Sequence, residues 1–435
     1  MRKLVIATAL ALGAAGAATV AAPATAAGTT PTTVAPARGT VVECHGVRAT
    51  IVGTPSSDVL RRTAGRDVIA GLDGNDRIHA GRGNDLVCGG DGADQLYGGA
   101  GKDRLYGQRD LLQEADEDGL SRSGDTLRGG PGDDRLSAGA DDRSADEVFF
   151  DVISWDASAH GVHIDLRSGT ARGEGVDHFV GGTFSVVGSK HADVVDGTDR
   201  RDRIDTGAGP DVVRADGGSD IINVDSTRRG HDGNADRVWG GNGDDRISAR
   251  HGEDHLAGGP GDDWIDSGGV SNDVLLGGTG NDFLTAQIGD TRGPQRFNGG
   301  PGNDGIQVNT DEINPKGAPA TADWDMASGD LAFTLVDTTS LSVLHIERAV
   351  LAARAAAWTV TGTPGDDSVF GDANSVSSPV IFDGLAGDDS FRGTDGDDVF
   401  DGGDGQDHSY GMFDGDDTCL RVEVIDGSDC EHVTP

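Results

Sequence analysis

An aspartate recurs every nine residues through most of this chain, and no other feature limits the fold as tightly. From residue 71 the sequence reads GLDGNDRIH, AGRGNDLVC, GGDGADQLY, GGAGKDRLY, which puts Asp76, Asp85, Asp94 and Asp103 in one register. Counting back by nine reaches Asp67 and Asp58. The register restarts at Asp125 and Asp134, at Asp193, Asp202, Asp211 and Asp220, and at Asp236, Asp245, Asp254 and Asp263. A one-residue slip leads to Asp273 and Asp282, and Asp304, Asp367, Asp389, Asp398 and Asp407 complete the series. Two residues after each aspartate stands an apolar residue, from Leu60 and Ile69 to Phe391 and Phe400; Ser409 alone breaks the rule. The consensus is G-G-x-G-x-D-x-U-x, with U apolar. A short fixed period of this kind marks a coil of stacked identical units.

Each unit reads as a six-residue turn and a three-residue strand. Glycine is needed where the turn takes positive φ and where carbonyls crowd together. Alternate strand side chains face opposite ways, so U alone is expected to point inward. Two units per coil would give two parallel sheets around a thin core. One apolar residue in nine is too little to offset the ordering of nine backbones, and stacked aspartates repel one another. A cation must neutralise the turns. Ca²⁺ fits, because it takes six to eight oxygen ligands and accepts backbone carbonyls, whereas Mg²⁺ demands a tight octahedron. The expected metal ligands are the sixth-position residues Asp67, Asp76, Asp85, Asp94, Asp103, Asp134, Asp202, Asp211, Asp220, Asp245, Asp254, Asp263, Asp282, Asp304, Asp367, Asp389, Asp398 and Asp407. The fifth position also takes Asn75, Ala93, Lys102, Pro210, Ser219 and Glu253, so its side chain is expected to face solvent.

Composition supports a cation partner. The chain carries 74 Asp+Glu against 35 Lys+Arg, a formal charge of -39. That balance argues against nucleic acid and anionic membranes, both of which need basic patches. High charge with low hydrophobicity also fits a disordered chain, but the sustained register overrules that reading. Arg2 and Lys3, the Ala/Leu/Val-rich stretch 4–20 and Ala24-Thr25-Ala26 predict a cleaved signal peptide over 1–27, hence a secreted protein with no membrane insertion after cleavage. No later stretch has the ~18 apolar residues of a membrane span. Residues 28–43 read as a flexible leader. Cys44, Cys88, Cys419 and Cys430 predict two disulfides in an exported chain. Of three connectivities, Cys44–Cys88 and Cys419–Cys430 are favoured, because each pair lies at one end of the chain.

The register divides the chain into rolls at 44–137, 189–307 and 362–418, non-repeat β inserts at 138–188 and 308–361, and a disulfide-closed cap at 419–435. Residues 107–123 read as a polar loop and 371–383 as a Ser-rich excursion. Alternation at Val162, Ile164 and Leu166 predicts antiparallel strands between rolls; ERAVLAARAAAW is left open between a helical turn and a strand. The chain lacks H-E-x-x-H, G-x-S-x-G, a P-loop and a dinucleotide fingerprint. His160 and His163 read as surface histidines. The expectation is therefore a structural or interaction protein rather than an enzyme. The alternatives are a calcium-stabilised secreted hydrolase, with its site in an insert, and an adhesin for a cell-surface or polysaccharide partner.

The quoted nonapeptides resemble those of the RTX, or hemolysin-type, calcium-binding repeat family. That resemblance implies an all-β fold: a parallel, calcium-filled β-roll in several segments, interrupted by the inserts. It also implies that same-side turns two units apart share each ion through the sixth-position aspartate and turn carbonyls, with about ten ions in all. The ends, ATIVGTPSSDVLRRTAGRDVIAGLDGNDRIHAGRGNDLVCGG and GDDTCLRVEVIDGSDCE, resemble exported bacterial relatives. RTX toxins and proteases typically leave by type I secretion with an uncleaved C-terminal signal, and the N-terminal signal sequence read here departs from that pattern.

Overall fold

In a computed structural model, the residues described are 41–63, 65–109, 124–139, 151–180, 184–225, 234–270, 273–287, 295–309, 321–325, 330–334, 339–344, 348–352, 358–371, 379–410, 416–422, 424–426, 430 and 432–434. All belong to the compact unit Val34–Pro435; the other unit, Met1–Thr33, lies outside them. The expected signal peptide and the leader up to residue 40 therefore lie outside the described residues, as do 110–123 and 372–378.

Every regular element among the described residues is a strand. Successive units send their strands alternately to two sheets, and each strand pairs in parallel with the strand two units on. In the first sheet Ile69 faces Val87, which faces Leu105. In the second, Ile78 faces Leu96, which faces Leu127. The U residues thus stack on one another, and Ile69, Ile78, Val87, Leu96 and Leu105 are fully buried. A second residue per unit also faces inward. Ala80, Ala138, Ala215 and Ala249, each at the first position of its unit and two residues after U, are buried too. Strands such as Val68–Asp73 accordingly run to six residues instead of three. Ser409, the exception to the apolar rule, is buried with its hydroxyl 3.6 Å from Cys430 Sγ and 3.7 Å from Cys419 Sγ.

The inserts break the sequence period, yet both ladders run through them. Strands His163–Asp165, Thr170–Arg172 and Val176–Val180 form the expected antiparallel meander. It is spliced into the first sheet rather than set between rolls. Val176–Val180 pairs in parallel with Arg135–Gly139 behind it, and His163–Asp165 with Val194–Thr198 ahead. The alternation holds, with Val162 and Ile164 buried in the common core. The second insert repeats the plan with Thr321–Asp325, Asp330–Thr334 and Thr339–Leu344, between Gln295–Asn298 and Trp358–Thr361. The second sheet passes each insert without extra strands. Arg348–Ala352 is a strand, which resolves the first part of ERAVLAARAAAW; residues 353–357 lie outside the described residues.

Both favoured disulfides are present, each with a Cα–Cα distance of 5.8 Å. Cys44–Cys88 ties the hairpin Glu43–Cys44/Val47–Arg48 to the first sheet. There Cys44, Val68, Leu86 and Cys88 form a small apolar cluster separate from the main core.

Candidate calcium sites

Each sixth-position aspartate closes a turn just before its strand, so the parallel register stacks these residues in two columns. Along a column, one carboxylate oxygen accepts the backbone N–H of the aspartate one coil earlier. Asp85 accepts from Asp67 at 2.7 Å, Asp103 from Asp85 at 2.8 Å, and Asp134 from Asp103 at 2.8 Å. On the other side Asp94 accepts from Asp76 at 2.8 Å, and Asp263 from Asp245 at 2.8 Å. The same bond joins Asp211 to Asp236, Asp220 to Asp245, Asp263 to Asp282, Asp282 to Asp304, Asp367 to Asp389 and Asp389 to Asp407. All the expected ligands are buried except Asp202, which is half-buried.

The second oxygen carries the chemistry. In Asp76, Asp85, Asp94, Asp103, Asp134, Asp220, Asp236, Asp245, Asp263, Asp282 and Asp389, Oδ2 is buried with no hydrogen-bond partner. Where the first position of the turn is glycine, it points at that glycine; before Asp85 and Asp220 the position is held by Ala80 and Ala215. A Cβ built on Gly71 would collide with Asp76 Oδ2 and the Gly89 carbonyl oxygen. On Gly258 it would strike Asp263 Oδ2 and stand 2.7 Å from the Gly277 carbonyl oxygen. At Gly71 and Gly258 it is space, not φ, that excludes a side chain. Their missing side chains leave a cradle between a carboxylate oxygen and a carbonyl of the next coil. Burial, and then neighbouring aspartates, push the carboxyls up, to about 7 at Asp263, about 8 at Asp94 and Asp134, and about 9 at Asp236. Buried polar atoms are normally satisfied, and rows of hard oxygen donors suit Ca²⁺.

Not every column aspartate is of this kind. Where Ser or Thr replaces the second glycine, its N–H and hydroxyl bond both carboxylate oxygens. Thr198 N–H donates to Asp202 Oδ2 at 2.7 Å and its hydroxyl to Oδ1 at 3.2 Å. Thr63 does the same for Asp67, Thr363 for Asp367, Thr394 for Asp398 and Ser189 for Asp193, whereas Thr54 sends both its N–H and its hydroxyl to Asp58 Oδ2. Asp67, Asp202, Asp367 and Asp398 therefore sit in the expected columns with both oxygens already engaged.

The columns also include residues that the periodicity missed. Asp151 and Asp177, inside the first insert, accept from Asp125 at 2.9 Å and Asp134 at 3.0 Å, and Trp155 Nε1 donates to Asp177 Oδ2 at 2.8 Å. Asp417 accepts from Asp398 at 2.8 Å. All three keep the aspartate-x-inward pattern, with Ile153, Phe179 and Cys419 buried two residues on; Asp151 lacks the preceding glycines altogether, Asp177 keeps Gly173 and Gly175, and Asp417 keeps Gly415, each out of step with the nine-residue count. The fifth-position side chains are exposed, as expected, but they make a second ladder outside the first. Asp262 Oδ1 accepts the Asn281 N–H at 2.7 Å, and Asn84 Oδ1 accepts the Lys102 N–H at 2.9 Å.

The family model for the RTX calcium-binding nonapeptide repeat (4 copies) matches residues 52–87, 62–96, 89–110, 122–142, 188–226, 232–265, 267–290 and 383–418. No curated protein matches the chain. The matched segments are coils of the two-sheet ladder, and most of each insert is passed over. Repeat sequence and coil geometry agree: the chain belongs to the RTX calcium-binding nonapeptide repeat family.

Proposed function

We propose that this protein is an extracellular rod whose coils are held by about ten calcium ions, and that it acts structurally or as an interaction scaffold without catalysis of its own. The observation that carries this reading is the row of buried Oδ2 atoms facing next-coil carbonyls, with no protein partner to satisfy them. Two disulfides suit an oxidising compartment outside the cytosol. At ~1 mM calcium and a Kd of ~10⁻⁴ M, each site adds roughly 1.4 kcal/mol, so ten sites amount to a whole domain's stability. Far-UV circular dichroism in EDTA and then in calcium tests this. Strand content should appear with calcium; a strand-rich spectrum in EDTA that calcium does not change would refute it.

One groove favours an adhesin as the second reading. It has a volume of about 630 Å³; Arg66, Lys102, Arg104 and Arg135 line it together with Asp85, Asp103, Asp133 and Asp134, beside His178, Tyr106 and His45. Arg104 lies opposite Arg135 and Arg135 opposite His178 on adjacent strands, an arrangement that like charges disfavour. Among the described residues neither arginine has an ion pair, and Tyr106 stacks on His45 at 3.7 Å. A carboxylate of an acidic glycan would match the Arg104–Arg135 strip of that lining. Replacing both arginines by Ala should abolish retention on a carboxylated polysaccharide column; unchanged retention, or none by the wild-type chain, removes the reading.

A further inference from the structure

Successive sixth-position aspartates usually lie nine residues apart, but sixteen separate Asp220 from Asp236, so seven residues are extra in that coil. The excess begins just after strand Ile221–Asn223. Val224 takes the inward first position and Asp225 takes the place of the second glycine. Where glycine holds that position the backbone is left-handed: φ is 95° at Gly81, 129° at Gly90 and 98° at Gly99. Asp225 follows suit at 60°, a region Asp enters more readily than most residues. A glycine there offers no side chain, whereas Asp225 offers a carboxylate.

Where that carboxylate goes is specific to this coil. Asp216 also replaces a second glycine, with φ 72°, but its side chain is exposed and meets Arg167 at 3.1 Å. Asp225 is 3% exposed. One carboxylate oxygen from each of Asp225, Asp236 and Asp254 lies within 4.8 Å of the other two. Among the described residues this is the one place where three acidic side chains converge so closely. Asp236 is fully buried; its Oδ1 accepts the Asp211 N–H at 2.8 Å, and its Oδ2 has no hydrogen-bond partner. Asp254 Oδ1 accepts the Asp236 N–H at 2.9 Å, and the His251 N–H donates to Asp225 Oδ2 at 3.3 Å, which fixes the group from both sides. Three anions held this closely call for a multivalent cation between them, and affinity for a hard cation rises with the number of charged ligands.

We propose that Asp225, Asp236 and Asp254 form a three-carboxylate cation site, the tightest in the chain and the first to fill, which secures the coil that the seven extra residues lengthen. It rests on the calcium reading of the columns and adds to it a ligand from outside the repeat motif. The test is titration of the full chain with calcium by calorimetry, and with terbium, a trivalent ion of the same donor preference, by tryptophan-sensitised luminescence. The wild-type chain should show one tight step ahead of the rest. Asp225→Gly restores the repeat residue and suits the left-handed backbone, so the coil keeps its conformation while losing the carboxylate. It should weaken the tight step at least about tenfold and leave the later steps in place. Asp225→Asn should act in the same direction, and Asp216→Gly should change nothing. An Asp225→Gly chain whose tight step stays within about twofold of wild type overturns the proposal. A wild-type chain that binds no calcium at all overturns the column reading beneath it, so the two failures are distinct.

Discussion

Asp263 and Asp262 are adjacent carboxylates with opposite surroundings, and exchanging each for Asn separates the two ladders. Asp263 is buried, with Oδ1 accepting the Asp245 N–H and Oδ2 unsatisfied beside the Gly277 carbonyl. Asp262 is exposed and holds the Asn281 N–H through Oδ1. Asp263→Asn keeps an oxygen for the Asp245 N–H, but loses the charge that would hold an ion. In 1 mM calcium it should lose one ion and about 1.4 kcal/mol, the linkage contribution of a site with a Kd of ~10⁻⁴ M. In EDTA the sign reverses. The wild-type chain then keeps a buried, unsatisfied acceptor, a penalty of about 1–3 kcal/mol, and an amide in its place can donate to the nearby carbonyl. Asp263→Asn should therefore stabilise the metal-free chain. Asp262→Asn retains its acceptor oxygen and should stay within about 0.5 kcal/mol of wild type in both media. Calorimetric stoichiometry and urea denaturation of both variants, with and without calcium, measure all four quantities. An Asp263→Asn chain destabilised equally in calcium and in EDTA, or an Asp262→Asn chain lacking an ion, would refute the assignment of the cradle.

Protons should stand in for calcium. The folded-state carboxyls are raised, from about 6 at Asp76, Asp103, Asp245 and Asp282 to about 9 at Asp236, so their contribution to the metal-free fold is complete below the ordinary carboxyl range and is lost as pH rises through 6 to 9. Circular dichroism in EDTA should thus gain strand signal on acidification from pH 9 to pH 4, while calcium affinity falls over the same range; a flat EDTA profile contradicts this. Thr394→Val removes the hydroxyl that caps Asp398 and should cost about 1–3 kcal/mol with or without calcium, because no ion replaces it; a cost seen only in calcium would show that the capped coil binds metal. Replacing Cys44 and Cys88 by Ser should lower stability by about 2–4 kcal/mol, read as a shift in urea midpoint, and an unchanged midpoint would show that the hairpin contributes nothing.

The parallel coil was legible because one register encodes two facts at once. The aspartate fixes the turn, and the apolar residue two positions later fixes the inward face, so Ile69 through Phe400 fell where the sequence put them. The inward first position was not legible, since glycine and alanine there carry no apolar signal of their own. The splicing of the inserts into the first sheet was hidden for a different reason: alternation at Val162 and Ile164 gives a strand but not its neighbours. The division between capped and open aspartates could have been read directly. Thr198, Thr363 and Thr394 each stand four residues before their aspartate, where most open turns have glycine and none has Ser or Thr. Asp225 could not, because its meaning depends on which way a left-handed residue turns its side chain.

The two meanders also set the order in which the chain can fold. Through most coils a new strand docks on one formed eighteen residues earlier, and the longer connections before Leu127 and Val238 raise this to 31 and 25, so assembly can follow the chain as it emerges. At the first insert that rule fails. The site beside Arg135–Gly139 is filled by Val176–Val180, the last strand of the meander, and Arg135 finds its partner His178 only 43 residues later. In the second insert Arg296 waits 46 residues for Ser342. Closing a loop of that length rather than eighteen costs about 0.8 kcal/mol more, which slows docking by roughly fourfold at each insert. A chain that folds from its N-terminus would therefore add coils steadily, pause longest at the two inserts, and present its coils to calcium one after another.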